Sequence, residues 1–398
     1  MTLELSRLTG QMQAMGKEAA ARQRLHTELV ALARQWLDRH AEQAHQLRQP
    51  AQHIHAAIPT DEPIDISHPP PAPPERFTVI AADGSQIQPD RHGAALYYLV
   101  NVGSLVYRHG SGDTPEARSE PTLGYAETDV YENGMLVTGN LLDVRRDLAE
   151  IAHLADLCTA ERVPPPSDGE SNPIVALVDG TLLLWVLEER SREWQQTKVM
   201  AYLDQLIRIR ESGASIAAFT SRPRRTEVTR LLHLANVGGE KDRALEEPNP
   251  LERLPDRALF RATLPPGARS ALFVSPSPVN ETYYRPSGHT VHFFYLNLAK
   301  KEEDPVIARI ELPAWVAQDA EQVTLVHGAI LAQSCITGDY PYALARADEL
   351  AFISGPERDT LEQMVSTALL RAGMAPTLSP KAFYKTLTRS GRRRSRTI

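Results

Sequence analysis

Cysteine is nearly missing: Cys158 and Cys335 stand far apart among 398 residues, with no Cys-x-x-Cys spacing. A disulfide framework and a structural zinc ribbon both lack support, and a reducing, cytoplasmic setting is expected. No apolar run reaches the ~18 residues that a membrane span needs, and the N-terminus lacks a basic stretch followed by an apolar one. Neither secretion nor membrane insertion is expected. There is no Gly-rich Walker loop and no Gly-x-Ser-x-Gly elbow, which removes the defining part of an ATPase or a serine hydrolase. No solenoid repeat appears. An excess of positive charge is lacking too, since 43 Lys and Arg face 50 Asp and Glu for a net charge of −7. The surface as a whole is not one that coats nucleic acid, although a local basic groove stays open.

What is present is the composition of a folded protein, 42% hydrophobic and 23% charged, long enough at ~100 to 200 residues per domain for two or three units. In residues 1–57, Leu8, Met12 and Met15, then Leu25, Leu29, Leu32 and Trp36, recur in steps of three and four. They predict an N-terminal helical arm with one apolar stripe, packed on its own domain or serving as a short coiled arm for a dimer or partner. Residues 58–76 hold seven prolines, whose rings remove amide donors and keep the chain extended, as in a linker. From 77 to 372 apolar strands alternate with helical stretches, which predicts an α/β fold with a sheet flanked by helices. Strands are expected at 77–82, 94–106, 174–178, 215–220, 271–274, 290–298 and 306–312. Helices are expected at 141–158, 187–211, 227–236, 322–337, 342–354 and 358–372. A Pro-rich loop at 163–173 and an exposed insertion near 237–257 interrupt them. Residues 373–398 read as a basic tail, with five arginines in the last ten positions.

Two segments share one form, Val79-Ile80-Ala81-Ala82-Asp83-Gly84-Ser85 and Val175-Ala176-Leu177-Val178-Asp179-Gly180-Thr181. The strand period of two puts Phe77, Val79, Ala81 and Asp83 on one face, and Val175, Leu177 and Asp179 on one face of the other strand. An ionised carboxylate closing an apolar row is costly unless it is hydrogen-bonded, paired or bound to a cation. One such segment is also what an ordinary Asp-Gly turn looks like; two together point to a carboxylate site. Asp348 has Leu344, Ala345, Ala351 and Phe352 one helical turn away. It is expected on a buried face, as a metal ligand or as the partner of an arginine. Glu150 follows Arg146 by one turn in the 141–158 helix, with Asp143 and Asp147 read on other faces. A surface pair worth ~0.3–0.5 kcal/mol explains it adequately without function. Oxygen donors from separate elements suit Mn²⁺ or Mg²⁺ rather than zinc, and such centres cleave phosphodiesters. After the 215–220 strand, Arg222, Arg224 and Arg225 offer guanidinium forks to phosphates, or form a solvated basic turn.

In order along the chain, Ala82-Asp83-Gly84-Ser85, the Arg146 to Glu150 helix, Val178-Asp179-Gly180-Thr181, Phe219-Thr220-Ser221-Arg222-Pro223, Arg309-Ile310-Glu311-Leu312-Pro313 and Tyr340-Pro341 through Asp348 resemble the NurA family of DNA-end-processing nucleases. The resemblance extends over about 77–352. It implies an RNase-H-like mixed sheet and manganese-dependent cutting of single-stranded DNA and DNA ends, with 5′ to 3′ exonuclease action. It also implies a toroidal homodimer and partnership with the hexameric HerA translocase, in double-strand break repair or defence against phage. Its metal-binding carboxylates fall on Asp83, Glu150 and Asp179, and its last helical ligand on Asp348, where many members carry His. Two other readings stay open. Asp179-Gly180-Thr181-Leu182 looks like the start of a haloacid-dehalogenase phosphatase, yet Leu177 occupies the place of that family's nucleophilic Asp. The other is a non-catalytic adaptor that binds DNA and the translocase without cutting.

Overall fold

Short apolar runs bounded by Gly and Pro become strands here, and the three- and four-residue spacings become helices, as their periods require. The computed structural model describes residues 8–162, 172–185 and 190–374. The chain begins with α1 (Thr9–Arg39), α2 (Ala44–His53), β1 (Ile58–Pro59), β2 (Ser67–His68), β3 (Phe77–Ile87), β4 (Tyr98–His109) and β5 (Glu116–Gly124). Next come α3 (Glu127–Val130), a small hairpin of β6 (Tyr131–Glu132) and β7 (Met135–Leu136), α4 (Asn140–Glu161), β8 (Ile174–Asp179), α5 (Arg192–Glu211) and β9 (Ser215–Ser221). Then follow α6 (Glu227–Asn236), α7 (Lys241–Glu246), α8 (Asp256–Thr263), β10 (Arg269–Ser270), β11 (Phe273–Val274), β12 (Val291–Asn297) and β13 (Ile307–Pro313). The remaining helices are α9 (Ala314–Ala317), α10 (Ala320–Thr337), α11 (Tyr342–Ala351) and α12 (Gly355–Arg371). No described helix is long and apolar enough to cross a membrane.

The chain divides into two compact units, and the fold is the expected mixed α/β arrangement of sheet strands flanked by helices. The first unit comprises Met1–Glu75, Val178–Leu183 and Ser215–Tyr342. Its strands run in the order β1-β11-β12-β13-β9, each neighbouring pair antiparallel. A core forms from Trp36 and Leu37 of α1, Leu47 of α2, Leu231 of α6, Phe260 of α8, and Phe273, Phe293 and Tyr295 of the sheet. Burial of such side chains, ~1.5–3 kcal/mol each, fixes the second half of α1 on its own unit. Met12 and Met15 in the first half, and Leu25 at the middle, stay exposed. Two expectations are corrected. Residues 58–76 are not only a linker, because β1 pairs with β11 and β2 with β10, and Ile58 and Ile64 are buried. The insertion near 237–257 forms α7 and buries Leu251 and Leu254, since its leucines join the same core.

The second unit comprises Arg76–Leu177, Leu184–Ala214 and Ala343–Ile398. Its strands run β8-β3-β4-β5. β4 pairs antiparallel with β3 and β5, and the register sets Asp83 opposite Gly103. α4 packs on β3, and α5 packs on α4. β5 was not foreseen: it lies at the end of the strand order, and Glu116, Arg118, Glu120 and Pro121 leave it without an apolar alternation. Most of the expected 163–173 loop, the start of the expected 187–211 helix and the tail beyond Met374 lie outside the described residues.

Candidate active site

Alternation along β3 sorts its side chains between two helices of the second unit. Gly84 and Gln86 face α4: a Cβ on Gly84 would meet Glu150 and Arg146, and Gln86 donates to Asp143 Oδ1 at 2.6 Å. Asp83 and Ser85 take the other face, where α11 lies; the Ser85 hydroxyl donates to the Ala351 carbonyl. On β4, Asn101 donates to the carbonyls of Leu350 (3.1 Å) and Ala351 (2.8 Å). Gly103, directly opposite Asp83, has no side chain to hold α11 away: a Cβ there would come within 3.0 Å of the Ala347 and Ala351 backbone. The helix that carries Asp348 is therefore seated on the face of the sheet that carries Asp83.

Glu150 sits among like charges. Arg146 Nε is 3.0 Å from Glu150 Oε1, and Arg146 Nη2 is 3.0 Å from Asp147 Oδ1. Burial pushes the Glu150 carboxyl up to about 8, the charge of Asp147 adds to the shift, Arg146 opposes it, and Asp83 adds further. Burial also raises Asp147. The expectation that Asp143 and Asp147 lie on other faces is corrected: positions 143, 147 and 150 are steps of four and three, one stripe of α4. The Arg146–Glu150 pair is likewise no surface pair, since the Glu150 side chain is only 18% accessible. Asp348 departs from expectation in the opposite sense. The buried face of α11 is Ala343, Leu344, Ala347 and Ala351, and Asp348, one step beyond Ala347, is exposed, as is Phe352.

In the first unit, Asp179 ends its apolar strand as an exposed carboxylate whose Oδ1 accepts a hydrogen bond from the Tyr340 hydroxyl at 2.9 Å. The turn after it is anchored from within. The Gly180 N–H donates to the Phe219 carbonyl at 2.9 Å, and the Thr220 hydroxyl donates to the Gly180 carbonyl. Glu311 Oε2 accepts from the Thr181 hydroxyl at 2.6 Å and from the Leu182 N–H at 3.1 Å. Its other oxygen accepts from Arg309 Nε at 2.9 Å. Arg309, buried, also donates to Glu227 and stacks over the Phe293 ring at 3.6 Å. Arg222, Arg224 and Arg225 are all exposed, with Arg225 Nη1 3.9 Å from Glu227 Oε1. Sequence reasoning overlooked Glu311 as the anchor of this turn. The sequence signals only the pairing: two charges alternating with Ile310 in an otherwise apolar strand share one face.

The chemistry of the donors fits a divalent cation. Asp147 and Glu150 are hard oxygen donors, and the charges of Asp147 and Asp83 both act against the ionised Glu150, which a cation would relieve. Among the described residues, however, no group of three or more His, Cys, Asp or Glu is gathered closely enough to hold an ion by itself.

Residues 77–353 match the NurA domain family. Among curated protein sequences, none matches the chain. Solved structures similar to it include the NurA nuclease of Sulfolobus solfataricus, at 16% identity over 84% of this chain and 94% of that one, with a TM-score of 0.45. The catalytic domain of human endonuclease V is similar at 13% identity over 81% of this chain and 96% of that one, with a TM-score of 0.33. LC9-RNase H1, a type 1 RNase H with the type 2 active-site motif, is similar at 13% identity over 42% of this chain and 74% of that one, with a TM-score of 0.21. The family match covers well over half of the chain and runs through Asp83, Glu150, Asp179 and Asp348 alike, so the protein belongs to the NurA family of nucleases.

Proposed function

We propose that this nuclease is a Mn²⁺-dependent deoxyribonuclease, with Mg²⁺ as an alternative ion, that trims single-stranded DNA and DNA ends with 5′ to 3′ polarity. In this reading it is cytoplasmic and works as a homodimer with a HerA-type hexameric ATPase, in double-strand break repair or anti-phage defence. Asp83, Glu150, Asp179 and Asp348 are its metal ligands, and Arg222, Arg224 or Arg225 positions DNA phosphates. The observation that carries the reading is geometric: Gly84 lets the Glu150 carboxyl lie against β3, on the stripe of α4 that it shares with Asp143 and Asp147. A structural carboxylate gains nothing from such neighbours, whereas one that awaits a cation does.

When bound, a divalent cation supplies polarisation of the phosphoryl oxygens and an acidified water. The chain's own residues do the rest. Gly84 leaves room for Glu150 beside β3, Glu311 fixes the Thr181–Leu182 turn that follows Asp179, and Tyr340 orients the Asp179 carboxylate. The phosphatase alternative fails at Leu177, which is fully buried and offers no nucleophile.

The test is incubation of end-labelled single-stranded DNA with Mn²⁺ and the wild type, Asp83→Ala or Asp179→Ala. The expected outcome is shortening by the wild type alone. Equal shortening by both variants would refute the catalytic assignment. Retarded but full-length DNA with the wild type, even with a HerA-type partner present, would put the adaptor reading in its place.

A further inference from the structure

At the end of the β9–β13 pair lies a cavity of about 220 Å³. That is below the ~300 Å³ at which sites for drug-sized ligands begin, and of a size for one planar group. Its floor is apolar: Phe219, Leu298, Ile307 and Ala308 are buried there. Its rim is polar, with Arg222, Asp339 and Tyr340. Two lining residues are also tied to Asp179. The Phe219 carbonyl accepts the Gly180 N–H, and Tyr340 stands edge-on to the Phe219 ring, centroids 5.2 Å apart, while its hydroxyl reaches the Asp179 carboxylate. An occupant of the cavity is thus one side chain away from that carboxylate.

Arg222 supplies an independent sign. Its backbone has φ +47°, a region that costs a non-glycine residue ~1–3 kcal/mol. The Arg222 carbonyl accepts a hydrogen bond from Arg257 Nη1 at 3.2 Å in this conformation. Glycine would adopt it without strain, so a strained arginine on the cavity rim points to something its guanidinium contacts.

We propose that this cavity receives one unstacked nucleobase of a DNA single strand, with the Arg222 guanidinium against its face, so that the adjoining phosphodiester is presented at Asp179. The inference deepens the nuclease reading and rests on it for the substrate class. An apolar floor suits a π face and not a phosphate. Asp339 on the rim repels an anion but accepts a hydrogen bond from an exocyclic amine. Seating by stacking rather than by edge reading makes the subsite tolerant of sequence.

The experiment uses the full-length chain, in chelator, and oligonucleotides that carry one 2-aminopurine or one abasic site at successive positions. Wild type is compared with Arg222→Gly, a substitution that relieves the backbone and should leave the melting temperature unchanged or higher. The expected result is a 2-aminopurine fluorescence change at one position only. An abasic site at that position should weaken wild-type binding by about tenfold, and Arg222→Gly binding by distinctly less. In Mn²⁺, KM for the intact strand should rise about tenfold in Arg222→Gly with kcat retained. No fluorescence change at any position, or an equal abasic penalty in both proteins, would overturn the proposal. So would a loss of binding that follows removal of a terminal phosphate instead of a base. Because binding is read without cleavage, absence of cutting would sink the nuclease reading and still leave the subsite decided.

Discussion

Replacing Gly103 by Ala tests how the sheet holds α11. The new methyl would come within 3.0 Å of the Ala347 carbonyl oxygen and the Ala351 nitrogen, and to 2.7 Å of the Leu350 carbonyl carbon. All three are helix backbone, so no side chain can swing aside; α11 must move off β4 by ~1 Å to restore an ordinary contact. Overpacking of this kind costs ~1–3 kcal/mol. The Ser85 and Asn101 hydrogen bonds to the Leu350 and Ala351 carbonyls loosen as well, at ~1 kcal/mol each. A total of ~4–6 kcal/mol lowers the melting temperature by about 8–24 °C for a unit of this size. The assay is thermal unfolding followed by far-UV circular dichroism, with hydrogen exchange reporting on the amides of α11. Gly16→Ala, at a helical glycine with nothing within 4 Å, is the control and should gain ~0.5–1 kcal/mol. A Gly103→Ala protein that melts with the wild type and keeps α11 protected would refute the reasoning, and with it the view that this glycine seats the Asp348 helix.

Two further outcomes are expected. In chelator, Glu150→Gln should stabilise the protein near pH 9 by ~2 kcal/mol and change little near pH 4. A folded-state value raised to about 8 is stabilising below the unfolded value of 4.5 and is lost as pH rises through 8. Urea unfolding at both pH values decides, and an identical difference at each would count against a repelled carboxylate. Arg309→Met should cost ~3–5 kcal/mol by stranding Glu227 and Glu311, and adding Glu227→Gln with Glu311→Gln should recover most of it. Failure of the triple variant to recover would mean that Arg309 acts through its stacking on Phe293 instead.

The Asp-Gly-Ser/Thr strand ends and the alternation of strands with helices were legible because each is a local pattern: a period, a turn chemistry, a row of apolar residues. Other features depend on what packs across. Asp348 looked buried from its neighbours in α11, but the helix turns Ala347 and Ala351 toward β4, and a glycine on another strand settles which stripe docks. β5 was invisible because an edge strand needs only backbone partners. Asp147 shares a stripe of α4 with Asp143 and Glu150, a spacing of four and three that the sequence alone states. The role of Glu311 depended on which turn lies beside β13, and nothing local in Arg309-Ile310-Glu311 states that.

β5 has a further consequence. Its outer row of amides and carbonyls would ordinarily invite another chain to zip on. Pro121 lacks one of the donors such zipping needs, and Glu116, Arg118 and Glu120 would each force a newcomer to shed hydration for no return. The exposed edge of β5 is therefore poorly suited to strand-to-strand pairing with a second copy of this nuclease.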